Sequence, residues 1–244
     1  MTAATPSPRY AIYFIPRPDT ALYRFGASVL GRDCYTNRDV DPIGGVDALT
    51  WTEWVREPRV YGFHATLKAP FHLSSAADEA VLVRAVRDFA ADMPAVLVGA
   101  LAVRELGSFI ALVPETRHAL LSRLAQACVR EFDRFRAPLI AHDRDRRRAA
   151  GLSARQEQNL VRWGYPYVNE DFRFHMTLTG PLATADRARA LQFLCEKFER
   201  LAGHNSLIVD QIVLARQKDK ATPFEVICNG VLGHSIYRPQ AYFC

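Results

Sequence analysis

The chain has 244 residues, 49% hydrophobic, 11% aromatic and 23% charged, with 31 Lys+Arg against 26 Asp+Glu and a formal net charge of +5. Such a composition belongs to a folded soluble chain and excludes disorder, collagen-like repeats and a disulfide scaffold. No stretch approaches the ~20 uninterrupted apolar residues of a membrane span, and the charge permits an anionic ligand without demanding one.

The opening MTAATPSPRY has neither the basic start nor the apolar run of a signal peptide, so a cytoplasmic location is expected. Five cysteines (Cys34, Cys128, Cys195, Cys228 and Cys244) are odd in number and scattered, with no C-x-x-C pair, which argues against a zinc site. Only Lys68, Lys197, Lys218 and Lys220 supply lysine charge; arginine carries the rest.

Residues 9–16 (RYAIYFIP) are rich in β-formers and closed by prolines, which predicts a strand. A helix over 20–30 precedes a polar, Gly/Pro-punctuated stretch, 32–58, expected to be irregular. Residues 63–70 alternate as a strand. An amphipathic helix is predicted over 78–92, with Leu82, Ala85, Val86 and Phe89 at i, i+3, i+4 and i+7. Residues 96–105 and 108–114 read as a hairpin around Leu106-Gly107, followed by a long helix with Leu121, Leu124, Cys128 and Phe135 on one side. The run 143–148 (DRDRRR) reads as a charged turn or linker, its arginines as a solvated loop or, alternatively, as contacts to an anionic partner.

A short helix over 153–161 leads to a strand over 172–180. Thr184 is expected to cap a helix reaching Ala202, with Gly203 at its C-terminal cap, and strands over 206–216 and 224–233 close the chain. Strands therefore occur in adjacent pairs as well as after helices. That order favours an α+β fold with antiparallel sheets over a doubly wound parallel sheet.

One internal repeat stands out. Residues 63–71, Phe-His-Ala-Thr-Leu-Lys-Ala-Pro-Phe, return at 174–182 as Phe-His-Met-Thr-Leu-Thr-Gly-Pro-Leu. Side chains alternate along a strand, so His64, Thr66 and Lys68 share one face, as do Arg173, His175, Thr177 and Thr179. Apolar residues take the opposite face of each. Positions i and i+2 lie ~7 Å apart, so His and Thr reach one small ligand group. His72, His118, His142, His204 and His234 lack the repeated setting and read as structural.

Displacement at phosphorus suits this pattern. One imidazole activates water while the other protonates the departing oxygen, and their ordinary pKa of ~6.5 allows either role. The threonine hydroxyls donate to the non-bridging oxygens. No metal or cofactor is required, and neither motif carries a carboxylate or cysteine to complete a two-histidine metal site.

Paired His-x-Thr strands in a chain of this size resemble the two-histidine (2H) phosphoesterase superfamily, which includes RNA 2',3'-cyclic phosphodiesterases and tRNA-ligase-like proteins. The strings YGFHATLKAPF (61–71) and WGYPYVNEDFRFHMTLTGPL (163–182) resemble its branch associated with bacterial phosphonate-utilisation operons. The resemblance implies one bilobal domain over 1–244, its pseudo-symmetric lobes each an antiparallel sheet with flanking helices, and an active-site cleft between them. It makes His64 and His175 the catalytic pair, and Thr66 and Thr177 the phosphate-holding hydroxyls. Periodicity adds Lys68 and Arg173 as cations that contact the ligand or sit on a solvated strand face. Tyr165 and Tyr167 either line the cleft or pack.

The activity so implied is a metal-independent cyclic phosphodiesterase acting on a phosphorylated ribose 1,2-cyclic phosphate. Two alternatives stay open: processing of RNA 2',3'-cyclic phosphate ends, and a non-catalytic nucleotide-binding module. The expected partner is a small phosphorylated sugar or nucleotide. Long RNA is less favoured because no aromatic-and-basic RNP-like string is present, and no membrane partner is expected.

Overall fold

Alternating aromatic and β-branched residues make Arg9–Phe14 (β1) a strand, and Tyr10 to Ile15 are at most 5% exposed, so it lies at the centre of the molecule. The structure is a computed structural model that describes residues 8–149, 151–201 and 207–233. Expectations for Ala202, Gly203, His204, Ser206, His234 and Cys244 lie outside the described residues. After β1 come α1 (Ala21–Leu30), the short strands β2 (Arg32–Asp33) and β3 (Arg38–Asp39), α2 (Ala48–Arg59) and β4 (Ala65–His72). Next are α3 (Glu79–Asp92), β5 (Val96–Gly99), β6 (Leu101–Leu106), β7 (Phe109–Pro114), α4 (Ala119–Glu131) and a 3-10 turn, Phe132–Phe135. The remainder comprises α5 (Ala141–Arg148), α6 (Ala154–Trp163), a 3-10 turn at Asn169–Asp171, β8 (Met176–Thr177), α7 (Thr184–Glu199), β9 (Leu207–Val209), β10 (Gln211–Gln217) and β11 (Glu225–Val231).

The α+β expectation holds. Seven strands form one antiparallel sheet in the order β11-β10-β1-β4-β8-β7-β6. The two motif strands, β4 and β8, are neighbours at the seam between a four-stranded half and a three-stranded half. They share a single paired position, Ala65 with Met176. Helix α3 packs on β10 and β11, α4 on β4, and α7 on β6 and β7. Among the described residues no helix is long and apolar enough to cross a membrane.

Helix starts follow local chemistry. The side chains of Thr20, Asp47, Asp78 and Ser153 each accept the N–H three residues on, at α1, α2, α3 and α6. Thr184 does not cap α7. The Ala183 carbonyl already accepts from Arg187, so the helix begins one residue earlier than expected and Thr184 is its first residue.

Two stretches differ from expectation. Residues 32–58 are not irregular throughout: they contain a two-residue hairpin and α2, whose Trp51, Trp54, Val55 and Pro58 are buried at i, i+3, i+4 and i+7. Pro58 hides this helix in the sequence, and it also has a use. Lacking an N–H, it cannot bond the Trp54 carbonyl one turn back, which instead accepts from Gly180 N at 2.7 Å and ties the second motif to α2. The run 143–148 is likewise part of a helix, α5, rather than a linker.

The second motif strand is also shorter than predicted. Leu178 N and Thr179 N both donate to the Ile110 carbonyl, at 2.8 and 3.2 Å, a bulge that breaks the alternation. Thr179 is therefore fully buried rather than facing out with Thr177; its hydroxyl accepts from Ile110 N and donates to the Gly180 carbonyl.

Gly26 of α1 lets Phe63 close the core beside the first motif. A Cβ on Gly26 would meet the Phe63 ring at 2.1 Å. Helix propensity alone would make Gly26→Ala stabilising by about 1 kcal/mol, whereas overpacking costs ~1–3 kcal/mol. The 2.1 Å approach decides for the second. Gly26→Ala is expected to lower the urea midpoint, and a raised midpoint would show that Phe63 moves aside freely.

Candidate active site

Each motif histidine is held by its own backbone. His64 Nδ1 lies 2.8 Å from the Gly62 carbonyl, and His175 Nδ1 lies 2.8 Å from the Arg173 carbonyl. A carbonyl only accepts, so Nδ1 carries the proton in both rings. Each neutral ring then keeps Nε2 as a free base. Gly62 can aim its carbonyl this way because it adopts φ +74; a Cβ there would sit 2.8 Å from Cys34 Cβ.

The sheet register brings the two motifs together crosswise. Ala65 is paired with Met176, so one step to either side sets His64 opposite Thr177 and Thr66 opposite His175. Directly opposed Cβ atoms lie ~4.5–5.5 Å apart and diagonal ones ~7–8 Å, which places the imidazoles as diagonal neighbours. His64 Nε2 is 3.2 Å from Thr66 Oγ1. The His64 ring lies against Tyr13, tilted by 33° with centroids 3.8 Å apart, and His175 lies 5.8 Å from the Phe109 ring.

Burial depresses both basicities. The His64 imidazole is pushed down to about 4, chiefly by desolvation, with nearby His175 lowering it further and the Gly62 carbonyl opposing. His175 is lowered by desolvation against the opposing Arg173 carbonyl. Both rings are neutral at pH 7 in the free protein.

A cavity of about 490 Å³ opens over this seam, and Tyr13, Tyr61, His64, Thr66 and Thr177 line it. Its rim adds Tyr165, Arg9, Arg146, Arg147 and Lys220. His175 stands beside it, two residues before Thr177. Among the described residues the buried Tyr13 hydroxyl has no hydrogen-bond partner, and neither does the buried Nε of Arg147. An orphaned buried donor costs ~1–3 kcal/mol. Two of them at one cavity suit a ligand rich in acceptor oxygens.

The other expected contacts divide. Tyr165 lines the cavity; Tyr167 packs edge-on against it at 5.6 Å and is 42% exposed. Lys68 is not available to the cleft. It is 3% exposed, and its ammonium donates to the Val129 carbonyl and to Asp133, each at 3.1 Å. Alternation fails here: Tyr13 of β1 pairs with Thr66 and the adjacent Ile12 with Lys68, a register shift that turns Lys68 away from Thr66 and under α4 and the turn after it. Arg173 is exposed and lies outside the cavity lining, contributing its carbonyl rather than its guanidinium. Tyr13, Arg9 and Lys220 carried no sequence signal, being single residues on distant elements. Arg146 and Arg147 were visible only as part of a charge run. Among the described residues no group of three or more His, Cys, Asp or Glu converges as a metal site would require.

Comparison with known proteins adds context. The chain is 38% identical over 221 residues to a protein of Janthinobacterium sp. (strain Marseille) named ribose 1,5-bisphosphate phosphokinase PhnN, covering 88% of this chain and 49% of that one. It is 37% identical over 178 residues to the protein of the same name from Laribacter hongkongensis (strain HLHK9), covering 73% and 41%. The chain thus spans about half the length of the curated relatives it matches. A solved structure described as a crystal structure of phosphoesterase is similar with a TM-score of 0.44 and 13% identity, over 93% of this chain and 99% of that one. A family model described as "Protein of unknown function (DUF1045)" matches residues 66–225, more than half of the chain, which therefore belongs to the DUF1045 family.

Proposed function

We propose that this chain is a two-histidine phosphoesterase that hydrolyses a small sugar cyclic phosphate, a phosphorylated ribose 1,2-cyclic phosphate being the favoured substrate. The crosswise His64/Thr66 and His175/Thr177 arrangement carries the reading, because it offers two Nδ1-anchored imidazoles to one phosphate. The name shared by the relatives, which specifies a phosphorylated ribose, supports the sugar. None of the four lysines follows a glycine, so these 244 residues hold no G-x-x-x-x-G-K-[ST] loop. We assign the phosphokinase activity named for the relatives to the part of them that this chain does not span.

In the reaction, water attacks phosphorus and gives its proton to Nε2 of one neutral histidine. The P–O bond to the sugar breaks as the other histidine, protonated at Nε2, gives its proton to the leaving oxygen. The products are a phosphate monoester and a free hydroxyl. Thr66, Thr177 and the Tyr13 hydroxyl donate to the non-bridging oxygens. Both imidazoles are neutral in the free protein, so the acid must gain its proton as the anionic substrate enters and raises its basicity.

Phosphorus NMR on a panel of cyclic phosphates tests the reading. Ring opening of a ribose cyclic phosphate is expected, and it should persist after exhaustive chelation because two imidazoles complete the proton transfers. Loss on chelation with rescue by one divalent ion would move the protein to the metal hydrolases. Stronger turnover of RNA ending in 2',3'-cyclic phosphate would favour end processing. In that case log affinity should fall by roughly 0.7 per phosphate neutralised for each tenfold rise in salt.

A further inference from the structure

We infer that Arg147 of α5, with Arg146, Arg9 and Lys220, forms an anion subsite in the histidine cleft that takes a second, non-reacting phosphate of the substrate. This rests on the phosphoesterase reading above and narrows its substrate class to sugars bearing a phosphomonoester besides the cyclic one.

Four cations from three separate parts of the chain line the cavity that holds His64 and Thr66, and among the described residues no carboxylate lines it. They come from β1, from α5 and from the turn between β10 and β11. A cyclic phosphate diester carries a single negative charge, fewer than the cations gathered there. Neither neutral histidine adds to the demand for an anion.

Arg147 is the most telling member. Arg146 lines the cavity while also pairing with Asp143 at 3.1 Å, Arg148 is held by Glu157, and Arg144, whose Nε is likewise buried without a partner among the described residues, does not line the cavity. Among the described residues Arg147 forms no ion pair. Its guanidinium lies over the Tyr165 ring at 5.0 Å, and its buried Nε has no hydrogen-bond partner among the described residues. A guanidinium so placed is oriented by stacking and keeps its donor fork for a planar or tetrahedral oxyanion. Lys220 faces the same cavity from a turn pinned by Asp219, whose carboxylate accepts from Ala221 N and Thr222 N at 2.8 and 3.0 Å. Lys68 and Arg173 are replaced in this role by cations that sequence periodicity did not relate to the motifs.

A matched pair of ribose cyclic phosphates, with and without a terminal phosphomonoester, tests the subsite in wild type, Arg147→Met and Lys220→Ala. Wild type is expected to favour the phosphorylated sugar in kcat/KM by about tenfold or more, as for one charge-assisted contact. Arg147→Met keeps an apolar stem over Tyr165 and should erase most of that ratio, through KM rather than kcat. Lys220→Ala, at an exposed turn position, should move the ratio the same way by less. Inorganic phosphate should also raise the melting temperature of wild type more than that of Arg147→Met. No preference in wild type, or an Arg147→Met defect equal on both sugars, would overturn the subsite. If wild type turns over neither sugar, the phosphodiesterase reading falls and the phosphate titration alone decides, equal shifts in both proteins counting against the subsite.

Discussion

His64→Ala and His175→Ala are each expected to lower kcat by ~10²–10⁴-fold, the usual effect of removing a positioned acid or base. Each Nδ1 is anchored to a backbone carbonyl two residues back, so each ring presents a defined Nε2. The two act in one step, so the double variant should be little worse than the poorer single variant. Thr66→Ala and Thr177→Ala should cost less, because water can partly replace one neutral donor. Far-UV circular dichroism and steady-state turnover of the ribose cyclic phosphate check this together. A well-folded variant of either histidine with near-normal kcat would remove that histidine from the chemistry.

These residues were legible because two signals coincide at them. The period of two puts His and Thr on one face, and the repeat says that it happens twice. The fold adds what periodicity cannot contain, namely that β4 and β8 are neighbours. Where only one signal was present, the reading stopped short. Lys68 shares a face with Thr66 by alternation in sequence, yet a register shift against β1 turns it toward α4 and Asp133, on segments more than sixty residues away. Thr179 obeys the alternation in sequence and loses it to the bulge at Ile110.

The rest of the cleft was illegible for a different reason. Tyr13 is one of two tyrosines in a largely apolar strand, and burial of its neighbours makes it look like core. Arg147 lies within DRDRRR, where nothing in the sequence separates it from the arginines that do not reach the cavity. Helix α2 was hidden by Pro58, the residue whose missing N–H frees the Trp54 carbonyl for Gly180. The elements that position the site are thus specified by long-range partners, while the reacting groups are specified locally.

Acid should weaken the fold through the same imidazoles. Burial at the seam favours the neutral His64 ring and holds its pKa down to about 4, against an ordinary value near 6.5. Above pH 6.5 both folded and unfolded chains carry the ring neutral, and its full contribution is present. Between 6.5 and 4 the unfolded chain takes up a proton that the folded chain refuses, so stability falls as pH falls. Below 4 both are protonated and this group costs nothing further. One pKa unit corresponds to ~1.4 kcal/mol, so His64 alone removes about 3 kcal/mol across the window. His175, lowered by the same desolvation, acts in the same direction. Carboxylates also titrate in this range, so the informative quantity is a difference between proteins. Urea unfolding at pH 7 and pH 5 should show wild type losing about 2 kcal/mol more than His64→Ala over that interval. Parallel losses in the two proteins would mean that His64 titrates normally at the seam. Its Nε2 would then be partly protonated before substrate arrives, and the proton uptake required of the acid on substrate binding would have no basis.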